Sequence, residues 1–189
     1  MNRIALFPSA LALLLALAGN ASAQAPSQPS VEAQARPILD ASTTSWLEGD
    51  WVGAGHFSRN GLPLASTYEF RTVHDGEAMT VRHLEHAPNT FAWSGVLSVD
   101  SRSGDMVLAF ASNKGGGARV LHSEGWNGET LTFEASPELQ AWFARERIIF
   151  QRLDSGRFEA TYEMSRDGGA TWRTGDVQTF VRISASSTR

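Results

Sequence analysis

The chain has 189 residues, no cysteine, and 16 basic against 20 acidic residues, giving a formal net charge of −4. Without cysteine the chain cannot use disulfides, so a packed core must stabilise it. The negative balance, with Lys114 as the single lysine, disfavours nucleic-acid binding, because such binding needs clustered basic side chains that meet phosphates.

Residues 1–23 have the pattern of a secretory signal peptide. Arg3 precedes an apolar run from Leu11 to Ala18, and Ala21-Ser22-Ala23 is a small-residue cleavage site. The apolar run is too short to span a membrane, which needs about 20 residues. We therefore expect an exported chain, located in the periplasm, that begins at Gln24 and has no membrane span.

The next segment, residues 24–43, is rich in Ala, Pro, Gln and Ser and predicts a flexible leader, with one helical turn near Ile38 to Asp40. From Asp50 onward the pattern changes to short alternating runs separated by turn residues, which is typical of an all-β sandwich or barrel. We assign residues 44–184 to this domain and residues 185–189 to a frayed tail.

The run Trp46 to Phe57 predicts the first strand. Trp51, Gly53 and Gly55 share one of its faces. Glycine inside a strand marks a bend or a close approach of two backbones. A first strand that curves over one end of a barrel and plugs it with Trp51 fits this pattern, but the interpretation that we favour is that Trp51 is an ordinary core residue.

Nine further strands follow from alternation and turn residues. They are predicted at Pro63–His74, Glu77–His86, Thr90–Val99, Asp105–Ala111 and Arg119–Trp126, around Leu131 and Phe133, and at Phe143–Leu153, Phe158–Ser165 and Trp172–Ile183. Asp75-Gly76 and Asn127-Gly128 supply hairpin turns. The segment Ser136 to Trp142 predicts one helical turn, because Ser136 is a capping residue followed by proline.

Ten strands joined by tight turns, without a long amphipathic helix, predict an antiparallel up-and-down β-barrel. Closure of such a meander removes its unpaired edges, and a barrel of about this strand number can hold one small ligand. The competing architecture is a two-sheet sandwich without a usable cavity.

Three patterns resemble lipocalin-like (calycin-like) barrels, in particular exported bacterial families: the Trp-x-x-Gly-x-Trp-x-Gly-x-Gly opening at Trp46, the aromatic residues of the fourth strand, and the Arg-x-Gly-Asp-x-x-x-Phe ending at Arg173. The resemblance implies a central pocket for a hydrophobic small molecule, often without enzymatic activity. Nitrobindin-like barrels open similarly and bind haem through a histidine close to the C-terminus. This chain departs from them, because no histidine follows His122, and no cofactor is expected.

The inward faces of the predicted strands define a pocket for a small apolar or amphipathic ligand. Its predicted lining is Tyr68, Phe70, Met79, Val81, His83, Trp93, Leu97, Phe110, Phe133, Ile148, Phe150, Tyr162 and Met164. A barrel that binds a ligand without catalysis is the function that this pattern favours.

Two carboxylates share these apolar faces, and a buried carboxylate must be paired, hydrogen-bonded or protonated. Glu85 or Glu146 could perform acid–base chemistry with His83, which would make the barrel an enzyme of isomerase or hydrolase type. The simpler interpretation pairs them at a barrel rim with Arg82, Arg145 or Arg147. A third hypothesis is a protein-binding module whose partner meets the rim loops, which would require an exposed apolar patch.

The segment Ser165 to Trp172 fits the Asp-box pattern Ser-x-Asp-x-Gly-x-Thr-Trp, in which Asp167 satisfies turn amides and stabilises a hairpin. The box occurs once, whereas a sialidase propeller repeats it, so no glycosidase is predicted. His83 and His86 would lie on opposite strand faces, and without cysteines no metal site is predicted. The loop Asn113 to Gly117 is interpreted as mobile and as a lid at the barrel mouth.

Overall fold

The computed structural model describes residues 38–115, 117–135 and 145–183, which form one short helix and an antiparallel sheet of eleven strands. Their bounds are α1 Ala41–Leu47, β1 Gly49–Phe57, β2 Pro63–Val73, β3 Ala78–Glu85, β4 Ala92–Val99, β5 Met106–Ser112, β6 Ala118–Ser123, β7 Trp126–Asn127, β8 Thr130–Ala135, β9 Arg145–Asp154, β10 Arg157–Ser165 and β11 Arg173–Arg182. No helix in these ranges is long and apolar enough to cross a membrane.

The sheet closes into a barrel of ten strands. Strands that are consecutive in the chain pair with one another, except β6 and β7. The barrel closes because β1 pairs with β11 from Trp51–Arg182 to Phe57–Asp176 and β6 pairs with β8 at Leu121–Ala135 and His122–Glu134. The two-residue strand β7 pairs with β8 alone. The predicted up-and-down barrel is therefore confirmed, and the two-sheet sandwich is excluded.

The short helical turn predicted near the N-terminus is confirmed, and it spans Ala41–Leu47, directly after the predicted Ile38 to Asp40. Trp46 therefore belongs to α1, and the predicted start of the first strand at Trp46 is wrong. Leu39 and Leu47 are buried against the barrel, and their burial fixes the helix at this end. Packing partners distant in the chain decided this boundary.

Two other predicted segments differ from the structure or lie outside it. The strand predicted at Arg119–Trp126 is interrupted after Ser123, because Gly125 has a φ of 101° and its amide donates to the Ser123 hydroxyl. Trp126 therefore begins a separate strand. The helical turn predicted at Ser136–Trp142 lies outside the described residues.

Trp51 is a core residue at the α1 end of the barrel, in agreement with the favoured interpretation. Its side chain is fully buried, and its indole N–H donates to the Leu47 carbonyl oxygen at 2.8 Å. The Phe158 ring lies 4.9 Å from the Trp51 ring, and the Arg182 guanidinium lies 4.1 Å from it on β11. Arg182 also donates to the carbonyl of Trp46. These contacts join α1 to the first and last strands.

The glycines of β1 allow β11 to approach closely. A Cβ at Gly55 would lie 1.9 Å from the Val177 carbonyl oxygen, and a Cβ at Gly53 would lie 2.3 Å from the Phe180 ring. A side chain at either position would displace the seam that closes the barrel. The close backbone approach expected from the glycine pattern is confirmed.

Candidate ligand-binding cavity

The barrel interior has a filled half and an open half. Near α1, side chains including Leu47, Phe70, Phe133 and Phe150 leave a void of only about 10 Å³. Towards the opposite end, where β3 ends and β11 begins, the interior contains a cavity of about 370 Å³. The filled half therefore forms a floor beneath the cavity.

The cavity contains seven of the thirteen side chains predicted to line it: Tyr68, His83, Trp93, Phe110, Ile148, Tyr162 and Met164. The other six are buried but do not line it, and they are Phe70, Met79, Val81, Leu97, Phe133 and Phe150. Alternation identifies the inward face of a strand, but it carries no information on the height of a residue along the barrel axis. Ligand binding by the seven stays a prediction.

Eight further residues line the cavity outside the predicted set: Phe57, Glu85, Phe91, Arg119, Ala160, Thr161, Asp176 and Gln178. Of these residues, Glu85 is one of the two acids considered from the sequence for acid–base chemistry. Asp176 belongs to the Arg-x-Gly-Asp-x-x-x-Phe ending but was given no role in the pocket, and Arg119 and Gln178 were not singled out, because scattered polar residues on predicted strands are usually exposed. The polar part of the site was therefore largely missed.

A buried ion pair crosses from β6 to β9. Arg119 Nη1 lies 3.0 Å from Glu146 Oε2, and the two side chains are only 9% and 11% exposed. The Tyr162 hydroxyl donates to the same carboxylate oxygen at 2.7 Å, and the Arg119 guanidinium lies 5.7 Å from the Phe110 ring. Glu146 thus satisfies two neighbours, and its charge is matched within the barrel.

The rim pairing expected for Glu146 is wrong. Arg145 and Arg147 alternate with Glu146 on β9, so they lie on the outer face. There Arg145 pairs with Glu134, and Arg147 lies 2.6 Å from Glu163. The basic partner of Glu146 comes instead from β6, which reaches it only because the barrel closes.

Two carboxyl groups near the mouth form no salt bridge in the described part of the chain, although the charge of Lys114 partly opposes the rise in the pKa of Glu85. Burial raises the pKa of Asp176 to about 6, although the Gln178 amide donates to it at 3.4 Å. Burial, with a smaller contribution from Asp176, raises the pKa of Glu85 to about 7. Ser66 fixes Gln178 by donating to its amide oxygen at 2.6 Å. Both acids therefore titrate near neutral pH.

His83 lies in the aromatic wall of the same cavity. It is 5% exposed, and the rings of Tyr68 and Trp93 lie 4.6 and 5.8 Å from it. Burial, with a contribution from His86, lowers the pKa of His83 to about 4, so the ring is neutral at pH 7. Neither ring nitrogen has a hydrogen-bond partner in the described ranges. The hydrogen bond to an acid that the enzyme hypothesis requires is therefore not formed.

Replacing Glu85 with Gln is expected to stabilise the protein at pH 8 and to change its stability little at pH 4. The folded protein keeps the Glu85 proton up to about pH 7, whereas the unfolded chain releases it near about pH 4.3. Between these values the folded protein binds more protons, so the free energy of unfolding of the unaltered protein falls as pH rises.

Glu85 is only half-buried, so solvent screening limits the expected gain at pH 8 to about 1–2 kcal/mol. Urea unfolding at pH 4, 6 and 8 measures the difference in the free energy of unfolding between the Glu85→Gln variant and the unaltered protein. Glu159→Gln is the matched control, because Glu159 lies on the outer face of β10. An equal stability change at all three pH values would show that the Glu85 carboxyl is not perturbed by burial.

The cavity opens into an outer cleft of about 980 Å³. The cavity and the cleft share Phe57, Tyr162, Met164 and Asp176. Residues of the loop after β1 and of the β10–β11 hairpin line the rest of the cleft. A small molecule can therefore reach the cavity from this end of the barrel.

The Asp-box hairpin that borders the cleft has the predicted hydrogen bonds. Asp167 accepts from the Thr171 amide at 2.9 Å and from the Thr171 hydroxyl at 2.6 Å, and the Ser165 hydroxyl donates to it at 2.7 Å. These donors, Thr171 first, lower the pKa of Asp167 well below its usual value. The structural role predicted for Asp167 is confirmed.

The glycine-rich loop after β5 meets the loop before β4. Lys114 Nζ donates to the Thr90 hydroxyl at 2.8 Å, and the Asn113 side chain donates to the Thr90 carbonyl. Gly116 lies outside the described residues, and the role of this loop as a lid stays a prediction. Within the described ranges, no group of three or more His, Asp and Glu side chains is placed to hold a metal ion.

Searches against family models and against curated proteins found no match to this chain. Among solved structures, it is similar to Rv2717c from M. tuberculosis, with a TM-score of 0.53 and 16% identity over 76% of this chain and 96% of that chain. The redesigned beta barrel b11L5F_LGL has a TM-score of 0.41 and 10% identity, covering 75% of this chain and 95% of its own. EF1p2_mFAP2b bound to DFHBI has a TM-score of 0.38 and 11% identity, covering 74% and 95%. The likeness to Rv2717c shows that the two proteins share the β-barrel fold.

Proposed function

We propose that the protein is an exported β-barrel that binds one small apolar or amphipathic molecule in the open half of its interior. The observation that carries the proposal is the cavity of about 370 Å³ above a packed floor. Ligand pockets measure about 300–1,000 Å³ and combine apolar walls with a few convergent polar groups. The cavity has this size and composition.

The walls suit a flat or aromatic ligand body. Trp93 lies 4.7 Å from Phe110 and 5.7 Å from Tyr68, measured between ring centroids. Rings held by neighbouring rings offer a large apolar surface and lose little conformational entropy when a ligand binds. The volume of the cavity equals that of roughly a dozen water molecules of about 30 Å³ each. The ligand is therefore expected to be smaller than a long-chain lipid.

Export and family relationship are further parts of this proposal. The signal-peptide pattern of residues 1–23 supports export to the periplasm. The tryptophan and glycine pattern from Trp46 to Gly55 supports a relationship to lipocalin-like barrels. The alternatives of a barrel enzyme and a protein-binding module have no specific observation in their favour.

Binding of prodan, an uncharged fluorescent naphthalene ketone, tests the proposal. We expect its emission to shift to shorter wavelength as it enters the apolar cavity. Ala160→Phe should weaken binding at least about tenfold, because Ala160 lines the cavity and a phenyl ring there would occupy ligand volume.

The matched control is Val96→Phe, which adds a ring at a position on β4 that is 42% exposed. It should bind prodan like the unaltered protein, and circular dichroism should show that both variants are folded. Equal prodan affinity of the two variants would contradict the cavity as the binding site. Native mass spectrometry of protein purified from its own source should in addition detect a retained molecule.

A further inference from the structure

We infer that the ligand is an organic cation, a protonated amine on an apolar body, and that Glu85, Asp176 and His83 receive its ammonium group. The inference rests on the proposed function and specifies the chemical class of the ligand. It follows from the charges that line the cavity, from the unpartnered nitrogens of His83, and from the aromatic wall beside them.

The charges of the cavity do not balance. Among the described residues that line it, Arg119 is the only lysine or arginine, and its guanidinium is paired with Glu146 at 3.0 Å. Glu85 and Asp176 line the same cavity, and neither forms a salt bridge in the described part of the chain. A cation placed between them would supply the missing charge.

His83 adds an acceptor at the same place. Its two ring nitrogens are buried and have no hydrogen-bond partner in the described ranges. Buried polar atoms in folded proteins are almost always hydrogen-bonded, so these nitrogens indicate a partner supplied from outside the chain. His83 and Glu85 share one face of β3, so a single group can reach both.

An ammonium group matches this set of acceptors. It carries three N–H donors and no acceptor, which suits two carboxylates and the unprotonated nitrogen of a neutral imidazole. The rings of Tyr68 and Trp93 flank His83, and cations are attracted to the faces of such rings. The same group thus finds hydrogen-bond acceptors and aromatic faces together.

The other ligand classes fit less well. A ligand with a carboxylate or phosphate group would have to displace Glu146 from the Arg119 guanidinium. Glu146 would then keep only its hydrogen bond from the Tyr162 hydroxyl at 2.7 Å. It would also lie in a cavity with Glu85 and Asp176 and be repelled by them. A purely apolar molecule would leave the carboxyl groups and the His83 nitrogens without partners, which is costly for buried polar groups.

Amine binding should depend on pH through the two unpaired acids. Burial raises the pKa of Glu85 to about 7 and that of Asp176 to about 6, so both take up protons as pH falls from 8 to 5. The other ionisable groups that line the cavity or influence its acids and His83 are Tyr68, His83, His86, Lys114, Arg119, Glu146 and Tyr162, and the outer cleft that Asp176 also lines adds Arg59, Arg166, Asp167 and Arg173. A primary amine keeps its proton over this range, because its pKa lies near that of lysine, about 10. We therefore expect its affinity to fall on acidification.

Titration with three phenyl compounds tests the inference on the mature protein. 2-Phenylethylamine, 2-phenylethanol and 3-phenylpropionate share the apolar body and differ in the charge of the polar group. Calorimetry and tryptophan fluorescence at pH 8 should show that the amine binds at least about tenfold more tightly than the alcohol, because hydrogen bonds to charged groups are strong. The carboxylate should bind most weakly.

Glu85→Gln and Asp176→Asn should remove most of the preference for the amine and leave the affinity for 2-phenylethanol within about twofold. Glu159→Gln on the outer face of β10 is the control and should keep the preference. An alcohol or carboxylate that binds as tightly as the amine would overturn the inference while the proposed function stands. Failure of all three compounds and of prodan to bind would overturn both.

Discussion

Replacing Arg119 with Met should destabilise the protein by about 3–5 kcal/mol, because it leaves the Glu146 carboxylate buried without its counter-charge. Arg119 and Glu146 are 9% and 11% exposed and lie 3.0 Å apart. Methionine fills much of the volume of the arginine stem, so the loss reports mainly the unpaired charge and not a cavity. Urea unfolding at pH 7 measures the change in free energy of unfolding.

A double-mutant cycle separates the net stabilisation by the Arg119–Glu146 pair from the stability that is lost when only one partner is removed. The variant with Arg119→Met and Glu146→Leu should recover most of the lost stability, because replacing both members of a buried pair with apolar groups is often neutral. Tyr162 would lose its acceptor in that variant, which leaves a residual loss of about 1 kcal/mol. A single-variant loss below about 1 kcal/mol would indicate that water reaches the pair.

The second large effect is expected at the opposite end of the barrel. Trp51→Ala should lower the free energy of unfolding by about 3–5 kcal/mol, which is the usual loss for a buried tryptophan. The side chain is fully buried, and its ring contacts Phe158 and the Arg182 guanidinium at 4.9 and 4.1 Å. The variant would also remove the indole donor of the Leu47 carbonyl. Thermal and urea unfolding measure the loss.

Trp51→Phe is the matched control and should lose less, because a phenyl ring keeps part of the contact with Phe158. At a temperature where each variant is folded, the affinity for prodan should be unchanged, because Trp51 is not among the residues that line the cavity. If the folded Trp51→Ala variant lost prodan binding, the shape of the cavity would depend on the packing of the filled half beneath it. A stability loss below about 1 kcal/mol would contradict the role of Trp51 in closing the barrel.

The order of the strands and their inward faces followed from the sequence. Alternating side chains report which face of a strand is buried, and residues such as Asp75 and Gly76, with φ of 55° and 95°, report where the chain turns. Both signals are local, so they can be recognised without knowing the fold. The Asp-box hairpin at Ser165 to Trp172 was predicted for the same reason, because its hydrogen bonds join residues two to four positions apart.

The candidate site depended on information that the sequence does not contain locally. Phe70 and Tyr68 occupy the same face of β2, yet the first packs in the filled half and the second lines the cavity. The difference is height along the barrel axis, which alternation does not encode. Trp46 looked like part of the first strand, but burial of Leu47 against the barrel end places it in α1.

By itself, the sequence determined an all-β barrel, its strand order, its inward faces and the hairpin at Asp167. Only the tertiary structure decided that Arg119 meets Glu146, 27 residues away, and that Glu85 and Asp176 line one cavity. These residues come from strands that are distant in the chain and become neighbours when the barrel closes. Closure is a property of all ten strands together, so no short stretch of sequence can record which polar groups it brings into contact.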